Sequence, residues 1–308
     1  MTENINIKKL DHSTPVTNKD ISTLVDDIYA LFANDSTWTP DPSHIRQFGM
    51  DLGNFIARRA SDVRGSPTLR LSNLGTPCER KLWYTINTPD DGESLRPATR
   101  IKFLFGDILE ALLLFLAKEA GHTVTGEQDE VTVNGVVGHR DAIIDGRLVD
   151  VKSASTYSYR KFQDNGLRGD DPFGYLSQLG SYLAASSGDD RVRDRDVASF
   201  LVIDKTLGNI TLDTYAFGDV DYRTMVDEKR EMLSLPEPPP RTYDDEPEGK
   251  SGNRSLCGQC SYCPFKHKCW EGVRTFIYSN GPTYLTKVER TPRVPEIDKD
   301  GNLIEVQY

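Results

Sequence analysis

Apolar residues recur with helical spacing over residues 21–32 and 44–60, the second stretch introduced by Asp41-Pro42-Ser43, a helix-start signal. A connector over 67–76 leads into a helical turn at 77–84, and a Pro/Asp/Gly-rich loop at 88–94 precedes a helix over about 98–119. That helix is apolar nearly all round from Ile108 through Leu116, which marks it as buried. The period then changes to two. Short strands are expected near 129–133, 136–144 and 147–152, separated by Asn134-Gly135 and Asp145-Gly146, dipeptides that suit two-residue hairpin turns. A polar loop over 153–172, a helix over 174–185, strands at 198–203 and 210–215 around Gly208-Asn209, and a helix near 219–233 complete the pattern. The class is α/β in the α+β mixed sense, a mixed sheet flanked by helices.

Pro236-Glu237-Pro238-Pro239-Pro240 reads as a rigid linker. The expected organisation is an N-terminal helical region (1–66, its first 18 residues loosely ordered), a core (67–235), a linker with a cysteine-rich segment packing back on the core (236–278), and a tail (279–308).

The 308 residues suffice for a sizeable core. The longest apolar run, Ala111 to Ala117, is far short of a membrane span, and the N-terminus lacks a signal-peptide pattern, so a cytoplasmic protein with no membrane partner is expected. Five cysteines in that compartment are reduced, which favours metal ligation over disulfides. A net charge of −10 argues mildly against nucleic-acid binding. The charge is uneven, however: Asp244, Asp245, Glu246 and Glu248 cluster, whereas Arg70, Arg80, Lys81, Arg96, Arg100 and Lys102, then Arg160, Lys161 and Arg168, flank the candidate chemistry.

A turn at Asp145-Gly146 pairs Ile144 with Arg147 and sets Asp141 opposite Asp150. Facing carboxylates repel unless a cation lies between them. Lys152 shares that face by strand alternation, as does His139. Glu110 sits in the buried helix, where an unpaired carboxylate is costly and metal ligation resolves the cost. Oxygen ligands of this kind suit Mg²⁺ or Mn²⁺, and with a lysine they form a site for phosphodiester hydrolysis. The plainer reading makes Asp141 and Asp150 surface strand residues and salt-bridges Glu110. Gln178 and Tyr182 are i, i+4 neighbours on a helix and carry weight only in company. Tyr157, Tyr159, Phe162, Phe173 and Tyr175 alternate with basic residues after the catalytic strand, a composition that suits either base stacking or a partly packed loop.

The ordered set Gly106-x-x-x-Glu110, Asp141, Asp150-x-Lys152 and Gln178-x-x-x-Tyr182 resembles the PD-(D/E)XK nuclease superfamily, in its Cas4/RecB-like iron–sulfur exonuclease branch, over about residues 70–270. The resemblance implies a restriction-endonuclease-like core. It makes Glu110, Asp141, Asp150 and the Val151 carbonyl ligands of an active-site Mg²⁺ or Mn²⁺, Lys152 the residue that orients the attacking water, and Gln178 and Tyr182 neighbours of the scissile phosphate. Asp150 stands where glutamate is commoner. Cys260-x2-Cys263-x5-Cys269 is similar to the branch's C-terminal triad, and Cys78 stands where the upstream fourth ligand of a [4Fe–4S] cluster is expected. Cys257 departs from the pattern. The four local cysteines can instead bind structural Zn²⁺, with Cys78 as a buried hydrophobe, or hold a cluster without it; His267 is a weaker zinc candidate.

The implied activity is exonucleolytic hydrolysis of DNA strand ends in recombination, end processing or DNA degradation, by a phage-encoded enzyme acting beside a single-strand annealing protein or helicase. The alternatives are a structure-selective endonuclease with the same site and a catalytically idle iron–sulfur DNA-binding module.

Overall fold

The computed structural model describes residues 19–61, 67–95, 97–218, 220–299 and 301–304; Arg96, the 1–18 segment and the last four residues lie outside them. The first part is helical: α1 (Leu24–Leu31), α2 (Pro42–Ser61), α3 (Leu71–Leu74), α4 (Glu79–Asn87) and α5 (Pro97–Glu119). The strands β1 (Val124–Thr125), β2 (Glu130–Val133), β3 (Val136–His139), β4 (Ala142–Ile144) and β5 (Arg147–Ala154) follow. Both hairpin turns form where expected. Asp145 and Gly146 have φ of 49° and 87°, and Ile144 pairs with Arg147.

After β5 come α6 (Thr156–Gln163), α7 (Tyr175–Ala185), β6 (Val197–Asp204), β7 (Ile210–Ala216) and α8 (Tyr222–Leu233). The main sheet runs β1-β4-β5-β6-β7 and is mixed, because β5 and β6 alone are parallel. A parallel pair needs a long crossover, and α6 and α7 supply it. Strand alternation divides β5 between two cores. Val149 and Val151 pack with α1 and α5 (Leu24, Ile28, Leu113, Ala117), while Leu148 and Ala154 pack with Phe162 of α6 and Leu179 of α7. Asp150 and Lys152 therefore belong to the α7 face. The class is mixed α/β, with helices on both faces of the sheet. No helix among the described residues is long and apolar enough to cross a membrane.

Three expectations need correction. The strand expected over 136–144 is two strands: β3 pairs with β2 in a separate sheet, and β4 joins the main one. The break falls at Arg140, 1% exposed, whose guanidinium reaches Asp129 at 2.9 Å, Ser186 at 3.0 Å and Asp189 at 2.5 Å. A buried cation is stable only when paired, and satisfying this one bends the chain. Second, the 153–172 segment is not one loop. It holds α6, capped by the Ser155 hydroxyl, and buries Tyr159 and Phe162.

Third, the C-terminal residues are not a tail. β8 (Asp245–Glu248), β9 (Asn253–Leu256), β10 (Arg274–Tyr278), β11 (Gly281–Lys287), β12 (Glu296–Ile297) and β13 (Leu303–Ile304) form an antiparallel sheet ordered β13-β12-β10-β11-β9-β8. The cysteine segment, with the short helices α9 (Gly258–Ser261) and α10 (Lys266–Cys269), lies between β9 and β10. The acidic 244–248 cluster contributes edge strand β8, where Asp245 pairs with Arg254 at 2.6 Å.

Candidate active site

The β4–β5 ladder stops at Ala142–Val149, so the next residues of β5 have no strand partner on that side. Asp141 fills the gap, its Oδ2 accepting the Val151 backbone N–H at 2.7 Å. The Val151 carbonyl, on the same edge as its N–H, faces the same gap. Asp150 is 2% exposed; its Oδ2 lies 2.5 Å from the Lys152 Nζ, and neither oxygen receives a well-directed hydrogen bond among the described residues. The Lys152 ammonium also lies 5.1 Å from the Tyr175 ring centre. From the opposite core α5 brings Glu110, whose Oε1 accepts Gln128 Nε2 at 2.6 Å. Gln128, at φ 55°, also donates its backbone N–H to the Asp141 carbonyl at 3.2 Å.

These charges act on one another. Burial, then the Asp150 and Asp107 carboxylates, push Glu110 from 4.5 up to about 7. Burial, then Glu110 and Asp150, raise Asp141 well above the carboxylate range. Burial works against the charge on Lys152, but Asp150 and Asp141 outweigh it and hold the ammonium above its ordinary value. Lys152 is therefore a cation at neutral pH and not a base.

Three mutually repelling carboxylates against one ammonium leave a deficit of positive charge, and the orphaned Asp150 oxygens have unused acceptor capacity. Both features fit a hard divalent cation. Among the described residues no three His, Cys, Asp or Glu side chains are already drawn into a shell that would hold an ion. Each carboxylate is tied instead to a protein donor: Glu110 to Gln128, Asp141 to Val151 and Asp150 to Lys152. An ion would exchange those ties for its own.

Gln178 and Tyr182 share the α7 face that meets this centre, and the Gln178 side chain hydrogen-bonds the Tyr182 hydroxyl. Burial and then Asp150 raise Tyr182 to about 12, so it stays a neutral donor. Its ring packs so closely on Gly138 that a Cβ there would lie 2.5 Å from Cε1. His139 does not join the site. The break at Arg140 leaves it exposed on β3, 3.9 Å from Glu130. On the Glu110 side the centre opens into a cavity of about 540 Å³ between α2 and α5, lined by Asp51, Asn54, Arg58 and Gln128 among others.

Several participants were not legible as such. Gln128 sits in a tight turn with no motif around it. Tyr175 carried only an aromatic signal. Asp107, one helical turn before Glu110, is buried against Arg59 through bonds of 2.6 and 2.8 Å. The Gly106-x-x-x-Glu110 motif gives no sign of Asp107 or of its partner Arg59, 48 residues before it.

Cys78, Cys260, Cys263 and Cys269 line one cavity, but no three of them are drawn together into a shell that would hold an ion. Cys78 precedes α4 and accepts the Lys81 N–H at 3.4 Å. Trp83, Tyr84 and Phe265 form a small core that also packs Cys263 and Cys269, with Tyr84 and Phe265 stacked at 5.5 Å. Across some 180 residues of sequence this brings Cys78 beside Cys263, whose thiol is raised by burial and by Cys78 and Cys269. Cys260 hydrogen-bonds Cys257 and is pushed up to about 12, by burial first and then by that neighbour. Burial first, and neighbouring thiols second, disfavour the thiolates of Cys260 and Cys263, and a metal ion would supply the positive charge such thiolates need. All five cysteines are free thiols. His267 is tied to Glu93 at 3.3 Å.

No family model matches the chain, and no curated protein matches it. A solved structure described as the crystal structure of SSO0001 is similar at 18% identity and a TM-score of 0.40, over 72% of this chain and 95% of that one, a level that carries no argument.

Proposed function

We propose that this chain is a Mg²⁺- or Mn²⁺-dependent deoxyribonuclease that hydrolyses phosphodiester bonds at DNA strand ends. The observation that carries the reading is the Asp141–Asp150–Lys152 arrangement at the open ladder of β5, with Glu110 entering from the opposite core. Glu110, Asp141, Asp150 and the Val151 carbonyl would hold the ion, which supplies Lewis acidity and a water of lowered pKa. Lys152, kept protonated by its carboxylate neighbours, orients the attacking water and offsets charge that develops on the phosphate. Tyr182, which stays a neutral donor, would hydrogen-bond a phosphate oxygen.

A [4Fe–4S] cluster on Cys78, Cys260, Cys263 and Cys269 would tie α4 to the C-terminal sheet and hold that module against the core. The resemblance of the motifs extends the reading to recombination or end processing.

The test is degradation of end-labelled linear and closed circular DNA with Mn²⁺ or Mg²⁺, comparing the anaerobically purified protein with Lys152→Ala. Loss of linear DNA alone, abolished in the variant, is expected. Cutting of circles makes the protein an endonuclease, and absence of any metal-dependent cleavage removes the enzymatic reading.

A further inference from the structure

The cavity of about 540 Å³ between α2 and α5 has the size of a small-molecule pocket, and the proposed chemistry uses only Glu110 on its wall. Its charge excludes one kind of occupant. Among the described residues a single cation, Arg58, lines it, against Asp51, Glu110 and Glu127, so it is no groove for a phosphodiester backbone. Glu127 is already paired with Lys118 at 2.7 Å, which leaves Asp51 as a carboxylate with no cation of its own. Buried apolar side chains, Phe55 of α2 and Ala111 and Leu114 of α5, complete the wall. A flat, neutral ring with N–H donors on its edge meets all of these demands.

Asp51, Asn54 and Arg58 stand at i, i+3 and i+7 of α2 and so share one face, with about 10 Å of helix axis between the first and the last. Asp51 accepts Gln47 Nε2 at 2.8 Å through Oδ1, and no hydrogen bond or cation reaches its Oδ2 among the described residues. The Arg58 guanidinium lies 4.9 Å from the Phe55 ring centre and meets no carboxylate among the described residues. A free carboxylate oxygen and a free guanidinium thus stand at two ends of one wall, with the Asn54 amide between them.

We infer that this cavity takes the base of the nucleotide under attack and prefers guanine. Guanine alone among the four bases sets two donors, N1–H and N2–H, side by side, the pair that a carboxylate such as Asp51 accepts. It also offers O6 and N7 to an arginine. Adenine and cytosine place a ring acceptor beside their amino donor, and thymine flanks its N3–H with two carbonyls, so each would turn a repulsive atom towards Asp51. Glu110 belongs both to the cavity wall and to the proposed ion site, which sets a base held here next to a phosphate held there. The inference rests on the proposed nuclease reading and adds to it a base preference at the point of cutting.

Saturation-transfer NMR titrations with the four deoxynucleosides, in EDTA and on protein purified anaerobically, test the pocket without phosphate, metal or chemistry. Deoxyguanosine is expected to bind about tenfold tighter than deoxyadenosine, deoxycytidine or thymidine, the scale of one bidentate base contact. Asp51→Asn and Arg58→Gln, at positions that are not buried, are each expected to lower deoxyguanosine affinity about tenfold and to leave the other three nucleosides unchanged. With Mn²⁺, linear DNA ending in guanine is expected to show a kcat/KM about tenfold above that of DNA ending in thymine, a ratio that Asp51→Asn abolishes. Equal binding of the four nucleosides, absence of saturable binding, tighter binding of deoxyadenosine, or a guanine preference retained in both variants would overturn the inference. Guanine-selective binding with no cleavage under Mn²⁺ would keep the pocket and reject the nuclease, whereas cleavage indifferent to the terminal base would do the reverse.

Discussion

The Asp141 carboxylate accepts the Val151 backbone N–H at 2.7 Å, taking the place of the strand that β4 no longer provides. One side chain thereby satisfies an otherwise unpaired strand edge and stands beside Asp150 and Lys152. The site and the irregularity in the sheet have the same origin: Arg140 turns inward, and Asp141 is the first residue after the break.

Asp150 depends on Lys152. The Asp150 carboxylate is 2% exposed, receives no well-directed hydrogen bond among the described residues and has Lys152 as its ion-pair partner, so Lys152→Met strands a buried charge. The metal-free variant is expected to lose about 3 kcal/mol in urea denaturation, and millimolar Mn²⁺ is expected to restore much of it. A variant as stable as the wild type, with no response to Mn²⁺, would show that the pair does not govern this pocket.

Glu110 makes metal-free stability fall with rising pH. Its folded value of about 7 exceeds the ordinary 4.5, so between those values the folded state binds a proton that the unfolded chain has released. The contribution is favourable below about 4.5, declines as pH rises, and is gone above about 7; Asp141, also raised, acts in the same direction. Protons and cations compete for these oxygens. Thermal melts should accordingly show a larger Mn²⁺ stabilisation at pH 8 than at pH 5.5, and equal shifts at the two pH values would contradict the assignment.

Cys78 and Cys257 are expected to part company. If Cys78 closes a four-iron cluster, Cys78→Ser loses most bound iron and its visible absorbance, while Cys257→Ser keeps both. Metal analysis that finds zinc, retained in Cys78→Ser, would give the cysteines a local zinc site instead.

Gly174→Ala is expected to destabilise the fold by several kcal/mol, since it combines a left-handed backbone with a backbone clash against Gly75. Gly188→Ala, where nothing lies within 4 Å, serves as the control and should change the melting temperature little. Similar melting temperatures for the two variants would mean that the Gly75–Gly174 approach is dispensable.

Much of the centre was legible because it is local. Asp145-Gly146 sets the turn and the turn sets the register, which puts Asp150 and Lys152 on one face; the expected Asp141–Asp150 strand pair does not form, because the ladder ends at Ala142–Val149 and Asp141 meets Val151 through its side chain instead. The apolar helix around Glu110 was equally plain. The 153–172 segment reads as a loop because α6 is polar outside its two core aromatics, Tyr159 and Phe162, which reveal a buried face only once β6 supplies the surface opposite. The C-terminal sheet escaped notice because its strands are short and interrupted by charges and by Pro282, and its two fully buried apolar side chains, Phe276 and Leu285, come from different strands.

By itself, then, the sequence determined the periodicities, the hairpin turns, the face shared by Asp150 and Lys152, and the dense cysteine spacing, all properties of neighbours along the chain. Tertiary structure alone decided that Arg140 would be buried among acids and split a strand, and that Gln128 would hold Glu110. Those relationships depend on desolvation and charge between residues tens of positions apart, and such energies exist only when the chain is closed on itself.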